Sequence, residues 1–134
     1  MLVVDATVTL AAAAASKGFE HFADPDLVAP PLMWSEARSV LHEMARRGEL
    51  GAREARRVRR ALERAPVAEQ GHPQLGDAAW DVAERLGLVR TYAAEYVALA
   101  RLLGCPLVTL DAEIRIRARR LCQIVGPAEL PAMP

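Results

Sequence analysis

Cysteine is scarce in this chain: Cys105 and Cys122 are the only two. They have no Cys-x-x-Cys spacing and no histidine nearby in sequence, which excludes a disulfide framework and a cysteine-rich zinc site and predicts reduced, packed thiols. Lysine is scarcer still, because 16 of the 17 basic residues are arginine and the other is Lys17. No apolar run approaches the length needed to cross a bilayer, and Met1 leads directly into an apolar stretch that holds Asp5, unlike a secretory signal. A soluble, cytoplasmic protein with no membrane partner is expected. Net charge is absent too, with 17 acidic residues against 17 basic.

That neutral average hides an uneven distribution. Residues 35–64 hold nine arginines against five acids, and Arg115, Arg117, Arg119 and Arg120 form a second cluster. Basic patches therefore stand beside separate carboxylates. With 134 residues, 52% of them hydrophobic, the chain suits one compact domain with a sizeable core. We expect that domain over residues 1–126, followed by a proline-rich tail at 127–134 with little to bury.

The stretch from Tyr92 to Asp111 organises the rest. Tyr92, Tyr96, Leu99 and Leu103 recur at steps of three and four and predict one buried helix face, closed by Gly104 and Pro106. Leu107 to Leu110 then reads as a parallel strand covered on both faces, delivering Asp111 at its carboxyl end. Earlier in the chain, Leu2-Val-Val4 predicts a strand ending at Asp5, followed by an alanine-rich helix from Val8. Leu27-Val-Ala29 predicts a second strand, stopped by Pro30 and Pro31.

Further helices are expected at 32–47, 52–65 and 75–86, the last with Trp80, Val82 or Ala83, and Leu86 inward. In the 52–65 helix, Arg53, Arg56, Arg57, Arg60 and Arg64 share the face opposite the apolar stripe. The ordinary reading of such a row is a solvated face. Residues 66–73, with Pro66, Gly71 and Pro73, read as a flexible loop. A basic helix at 112–121 and a last strand at 123–125 complete the chain. Strands alternating with helices predict an α/β three-layer sandwich with a mainly parallel central sheet.

In such a sheet Asp5 and Asp111 emerge along one rim, where open α/β sheets bind ligands, and Glu36 stands early enough in its helix to close over it. Each acid also has a plain structural role. Asp5 and Asp111 suit helix N-caps, and Glu36 would gain from the helix dipole. Together, however, three converging carboxylates repel one another unless a cation is present, and an all-oxygen donor set favours Mg2+ or Mn2+.

The pieces Val3-Val-Asp5-Ala-Thr7, Leu27 through Glu36 to Leu41, Thr91 to Ala100 and Pro106-Leu-Val-Thr-Leu-Asp111 resemble the PIN-domain ribonucleases, specifically the VapC-type toxins of bacterial toxin–antitoxin pairs. The resemblance runs from about residue 1 to 125, with its blocks in the family order. It implies a metal-dependent endoribonuclease cutting structured RNA of the tRNA or rRNA class. Asp5, Glu36 and Asp111 match the first, second and fourth acids of a metal-binding quartet, and Thr7 and Thr109 match small hydroxyl positions near the metal.

The third acid is missing, because the run Tyr92-Ala93-Ala94 stands where similar proteins have Tyr-Asp-Ala. Glu95, two residues and about 200° further round the helix, is expected to point away. Two accounts of Ala93 stay open: natural loss of the acid, or a deliberate Asp→Ala change that disarms a toxic nuclease. The second is favoured, because alanine removes the charge with least disturbance to a helix. In either case this chain is expected to be inactive or weakened.

The resemblance also implies a cognate antitoxin and a homodimer. Phosphate-binding roles would fall to Arg53, Arg57, Arg60, Arg64, Arg115 and Arg119, since the guanidinium fork suits phosphate. Other aspartate-centred enzymes fit less well. The haloacid dehalogenase pattern needs an acid where Thr7 stands, and a response-regulator receiver needs a late lysine. The remaining alternative is a non-catalytic PIN-type domain that binds RNA or a partner.

Overall fold

The computed structural model describes residues 1–22 and 26–132. Five parallel strands form one sheet: β1 (Leu2–Val4), β2 (Leu27–Ala29), β3 (Val67–Glu69), β4 (Leu107–Val108) and β5 (Ile124–Val125). Their spatial order is β3-β2-β1-β4-β5. The six helices are α1 (Ala6–Ala14), α2 (Leu32–Arg46), α3 (Ala52–Glu63), α4 (Leu75–Leu86), α5 (Tyr92–Leu103) and α6 (Ala112–Ala118). The arrangement is the expected three-layer α/β sandwich.

Register explains the rim. Val3 pairs with Leu107 and Val4 with Val108, so the residues just beyond them, Asp5 and Thr109, lie side by side at the carboxyl end of the sheet. The chain builds β2 and β3 on one side of β1 and β4 and β5 on the other. The β1/β4 boundary is therefore the switch point at which such sheets open a crevice. The four strands other than β3 are almost wholly apolar. Val3, Val4, Val28, Ala29, Leu107 and Val108 are buried to 2% exposure or less, as strands covered on both faces require.

Several expectations needed correction. The stretch 66–73 is not simply a loop, because Val67 to Glu69 pair with Leu27 to Ala29 as a parallel edge strand. Its sequence gives no apolar run, and Ala68 and Glu69 are exposed; only pairing with β2 makes it a strand. Trp80 is 65% exposed and Tyr92 55% exposed, whereas Ala79, Val82, Ala83, Tyr96 and Leu99 are buried. Helices α4 and α5 pack against each other along faces of small residues that bring their backbones close, which leaves the bulky ring of Trp80 outside.

The tail also buries more than expected. Residues Pro127–Ala132 form 3-10 turns and Leu130 joins the core; residues 133–134 lie outside the described residues. Cys105 and Cys122 are both partly buried, and neither forms a disulfide among the described residues. Among the described residues no helix is long and apolar enough to cross a membrane.

Candidate active site

At the β1/β4 switch point lies a cleft of about 270 Å³, lined by Asp5, Thr7, Glu36, Ala93, Tyr96 and Asp111 together with Ala6, Leu10, Val40, Leu107 and Ile114. Strand β1 carries Asp5 to the rim, α2 contributes Glu36, α5 contributes Ala93 and Tyr96, and the turn after β4 brings Asp111. Residues as far apart in sequence as Asp5 and Ile114 thus share one wall.

Asp5 is buried and fully engaged. Its Oδ1 accepts from the Thr7 hydroxyl at 2.6 Å and from the Val8 N–H at 3.0 Å, and its Oδ2 accepts from the Thr109 hydroxyl. The Val8 bond makes Asp5 the N-cap of α1. The cap and the site are therefore the same carboxylate, not competing interpretations. Burial raises the Asp5 carboxyl above its ordinary value. The bonds from Thr109, Thr7 and Val8 pull it back, and the negative charge of Asp111 pushes it further up.

Asp111 likewise caps α6, its Oδ1 accepting from the N–H groups of Glu113 at 2.9 Å and Ile114 at 3.2 Å. Its own N–H donates to the Thr109 hydroxyl at 2.9 Å. Thr109 is thus a hinge of the site, donating to one acid and accepting from the backbone of the other. Thr7 does similar work across the cleft, accepting from the Leu110 N–H at 3.1 Å.

Glu36 stands in the second turn of α2, too far along to draw much on the helix dipole. Its partner is the Tyr96 hydroxyl, which donates to Oε1 at 2.7 Å. Burial raises the Glu36 carboxyl, the Tyr96 bond opposes this, and the charge of Asp5 adds to the rise. The Tyr96 phenol is pushed up by its own burial and by Glu36, so it stays a donor. Sequence periodicity marked Tyr96 only as core. Its hydroxyl, one turn beyond Ala93 on a helix facing two acids, was the signal that it belongs to the site.

Glu95 does not line the cleft, as its position relative to Ala93 implies. It is nonetheless close enough to Glu36 that, after burial, the Glu36 charge raises its carboxyl. Among the described residues no three His, Cys, Asp or Glu side chains are grouped tightly enough to hold a metal ion. The physical reason is visible in the bonding. Both Asp5 oxygens and one Asp111 oxygen are turned to internal donors, Glu36 leans on Tyr96, and Ala93 brings no ligand. The donors present fit a hard divalent cation in kind, being oxygens whose mutual repulsion a cation would relieve. They fall one carboxylate short in number.

Of the arginines, Arg57 donates from Nε and Nη2 to Glu54 and from Nη2 to the Ala14 carbonyl at 3.0 Å, so it ties α3 to α1. Arg115 pairs with Glu129 of the tail. Arg53, Arg60, Arg64 and Arg119 remain exposed with no ion pair among the described residues.

Residues 2–120 match the family model of the PIN domain, the class that a parallel sheet with acids at this rim defines. Ribonuclease VapC9 of Mycobacterium tuberculosis is 34% identical over 125 residues, which are 92% of this chain and 96% of that one. A VapC ribonuclease of Mycobacterium bovis matches to the same extent. The crystal structure of PAE2754 from Pyrobaculum aerophilum is similar with a TM-score of 0.74 and 27% identity, covering 98% of this chain and 97% of that one. The chain belongs to the PIN-domain family, and these relatives set it among the VapC-type toxins.

Proposed function

We propose that this chain is a metal-dependent endoribonuclease toxin, acting in the cytoplasm on structured RNA of the tRNA or rRNA class and impaired as it stands because Ala93 occupies the third acidic position. The observation that carries this reading is the meeting of Asp5, Glu36, Asp111 and Ala93 in one cleft at the switch point, with a small side chain where a fourth ligand would complete the set. The relatives are named ribonucleases, which supports RNA as the substrate.

With an acid at position 93 to complete the set, Asp5, Glu36 and Asp111 would hold Mg2+ or Mn2+, which when bound acidifies water and neutralises charge on the scissile phosphate. The chain's own contribution is orientation. Thr7 and Thr109 fix the Asp5 carboxylate, the Thr109 hydroxyl also accepts from the Asp111 backbone, and Tyr96 holds Glu36 toward the cleft. A cognate antitoxin, the RNA and a second copy of the chain are the partners this reading implies. Exposed Trp80, Val89, Tyr92 and Ile116 leave apolar surface for such contacts.

The test is Ala93→Asp assayed on structured RNA with and without Mg2+. Metal-dependent cleavage well above that of the present chain is expected, and a variant no more active would overturn the assignment of position 93. The alternative, a non-catalytic PIN-type RNA- or partner-binding domain, draws on the absence of a three-carboxylate group among the described residues. It predicts no Mg2+ uptake by calorimetry even after Asp is restored.

A further inference from the structure

Helix α3 carries a second feature that the acidic cleft does not use. Arg53, Arg56, Arg57, Arg60 and Arg64 line an open groove of about 620 Å³ with Ala61. The helix has two acids, Glu54 and Glu63, and both are committed: Glu54 to Arg57 at 2.6 Å and Glu63 to Arg59 at 3.8 Å. Arg53, Arg56, Arg60 and Arg64 are left without an ion pair among the described residues.

A merely solvated helix face mixes charges and satisfies them at i,i+4, as Arg59 does with Glu63. Here Arg56, Arg60 and Arg64 repeat at i,i+4 with like charge, a pattern that destabilises a helix until an anion sits over it. The repeat places a guanidinium about every 6 Å along the axis, close to the separation of neighbouring phosphates in a nucleic-acid strand.

We propose that Arg53, Arg56, Arg60 and Arg64 form a track that holds the phosphate backbone of RNA at a distance from the acidic cleft. Choosing RNA over other polyanions rests on the proposed function. The topology fixes the distance. Helix α3 runs almost directly into β3, whose first residue Val67 pairs with Leu27 at the start of β2. The Arg64 end of the track therefore lies toward the amino-terminal end of the sheet, and the cleft lies at the opposite, carboxyl end. At least a three-residue strand, about 10 Å, separates them, so only an RNA of several nucleotides or a folded one reaches both. The track reads backbone and not bases, so it adds affinity without sequence preference.

The experiment is fluorescence anisotropy of a labelled RNA hairpin with the chain as it stands, titrated over a range of salt. Arg56→Gln and Arg60→Gln are each expected to lower the slope of log affinity against log salt by about 0.7 to 0.9 and the triple variant with Arg64→Gln by roughly 2 to 3. Arg59→Gln removes the same charge from the same helix and is expected to leave the slope within error of the parent; circular dichroism checks that each variant is folded.

The proposal is overturned if the chain binds no RNA, if the triple variant keeps the parental slope, or if Arg59→Gln lowers it as much as Arg60→Gln. It is also overturned if an acidic peptide of equal charge binds more tightly than the hairpin in an Arg60-dependent way, since the track would then serve a protein partner. The proposed function fails separately. Arginine-dependent binding with no metal-dependent cleavage by Ala93→Asp would sink the nuclease reading and keep the track, whereas cleavage whose KM ignores the triple substitution would do the reverse.

Discussion

The Tyr96 hydroxyl and the Glu36 carboxylate, 60 residues apart in sequence, meet at 2.7 Å and join α5 to α2 across the mouth of the cleft. Tyr96 is 4% exposed, so its position is set by the core and Glu36 is held by something that cannot move. Tyr96→Phe keeps the ring and deletes the donor. It is expected to cost roughly 1.5 to 3 kcal/mol, the range for a hydrogen bond to a charged group, read from urea unfolding in chelator. A cost below a few tenths would mean that Glu36 is held by solvent instead.

Thr109 supports two acids at once and is 2% exposed. Thr109→Val preserves shape but leaves Asp5 Oδ2 without its donor and the Asp111 N–H without its acceptor. A loss of roughly 2 to 4 kcal/mol is expected from two unsatisfied partners, visible as a fall in thermal midpoint. A wild-type midpoint would show that neither bond matters to the fold.

Burial raises the carboxyls of both Asp5 and Glu36. A carboxyl whose folded value exceeds its unfolded value binds protons more tightly in the folded state. Its contribution to stability is therefore fully present below the ordinary carboxylate range, about pH 4, and is lost as pH rises through the raised folded values. In chelator, these groups should make unfolding free energy decline with rising pH above about 4, and Asp5→Asn should flatten the decline. A Mg2+ addition that steepened it would contradict cation binding here.

Restoring the missing acid has a structural consequence separate from catalysis. Ala93→Asp adds a fourth carboxylate to a cleft where the charge of Asp111 already raises the Asp5 carboxyl and the charge of Asp5 that of Glu36. Without metal it should destabilise by roughly 1 to 2 kcal/mol through like-charge repulsion and lower helix propensity. Millimolar Mg2+ should recover that loss, and differential scanning calorimetry with and without chelator reads both. Equal midpoints in the two conditions would indicate that position 93 does not face a cation site.

Trp80 supplies a control on packing. At 65% exposure, Trp80→Ala should change the unfolding free energy of the monomer by less than about 0.5 kcal/mol, whereas Leu99→Ala in the core should cost roughly 2 to 5 kcal/mol. A large loss at Trp80 would mean that the ring is covered in solution.

The sequence alone determined the apolar strands β1, β2 and β4, because residues covered on both faces must read as short continuous hydrophobic runs. It also placed Asp5 one residue beyond the end of β1, but it ran β4 on to Leu110, whereas the strand ends at Val108, Leu110 is 54% exposed and Asp111 stands after a turn. Helix boundaries at Gly87 and Gly104 were legible for a similar local reason, both adopting a left-handed backbone with φ of 65°. Only the tertiary structure decided that Val67 to Glu69 is a strand, that Tyr96 and not the dipole holds Glu36, and that Arg57 and Arg115 are structural ties while Arg56 has no ion pair among the described residues. Those outcomes depend on which surfaces meet across dozens of residues, and hydrogen bonds and ion pairs form between neighbours in space whatever their separation along the chain.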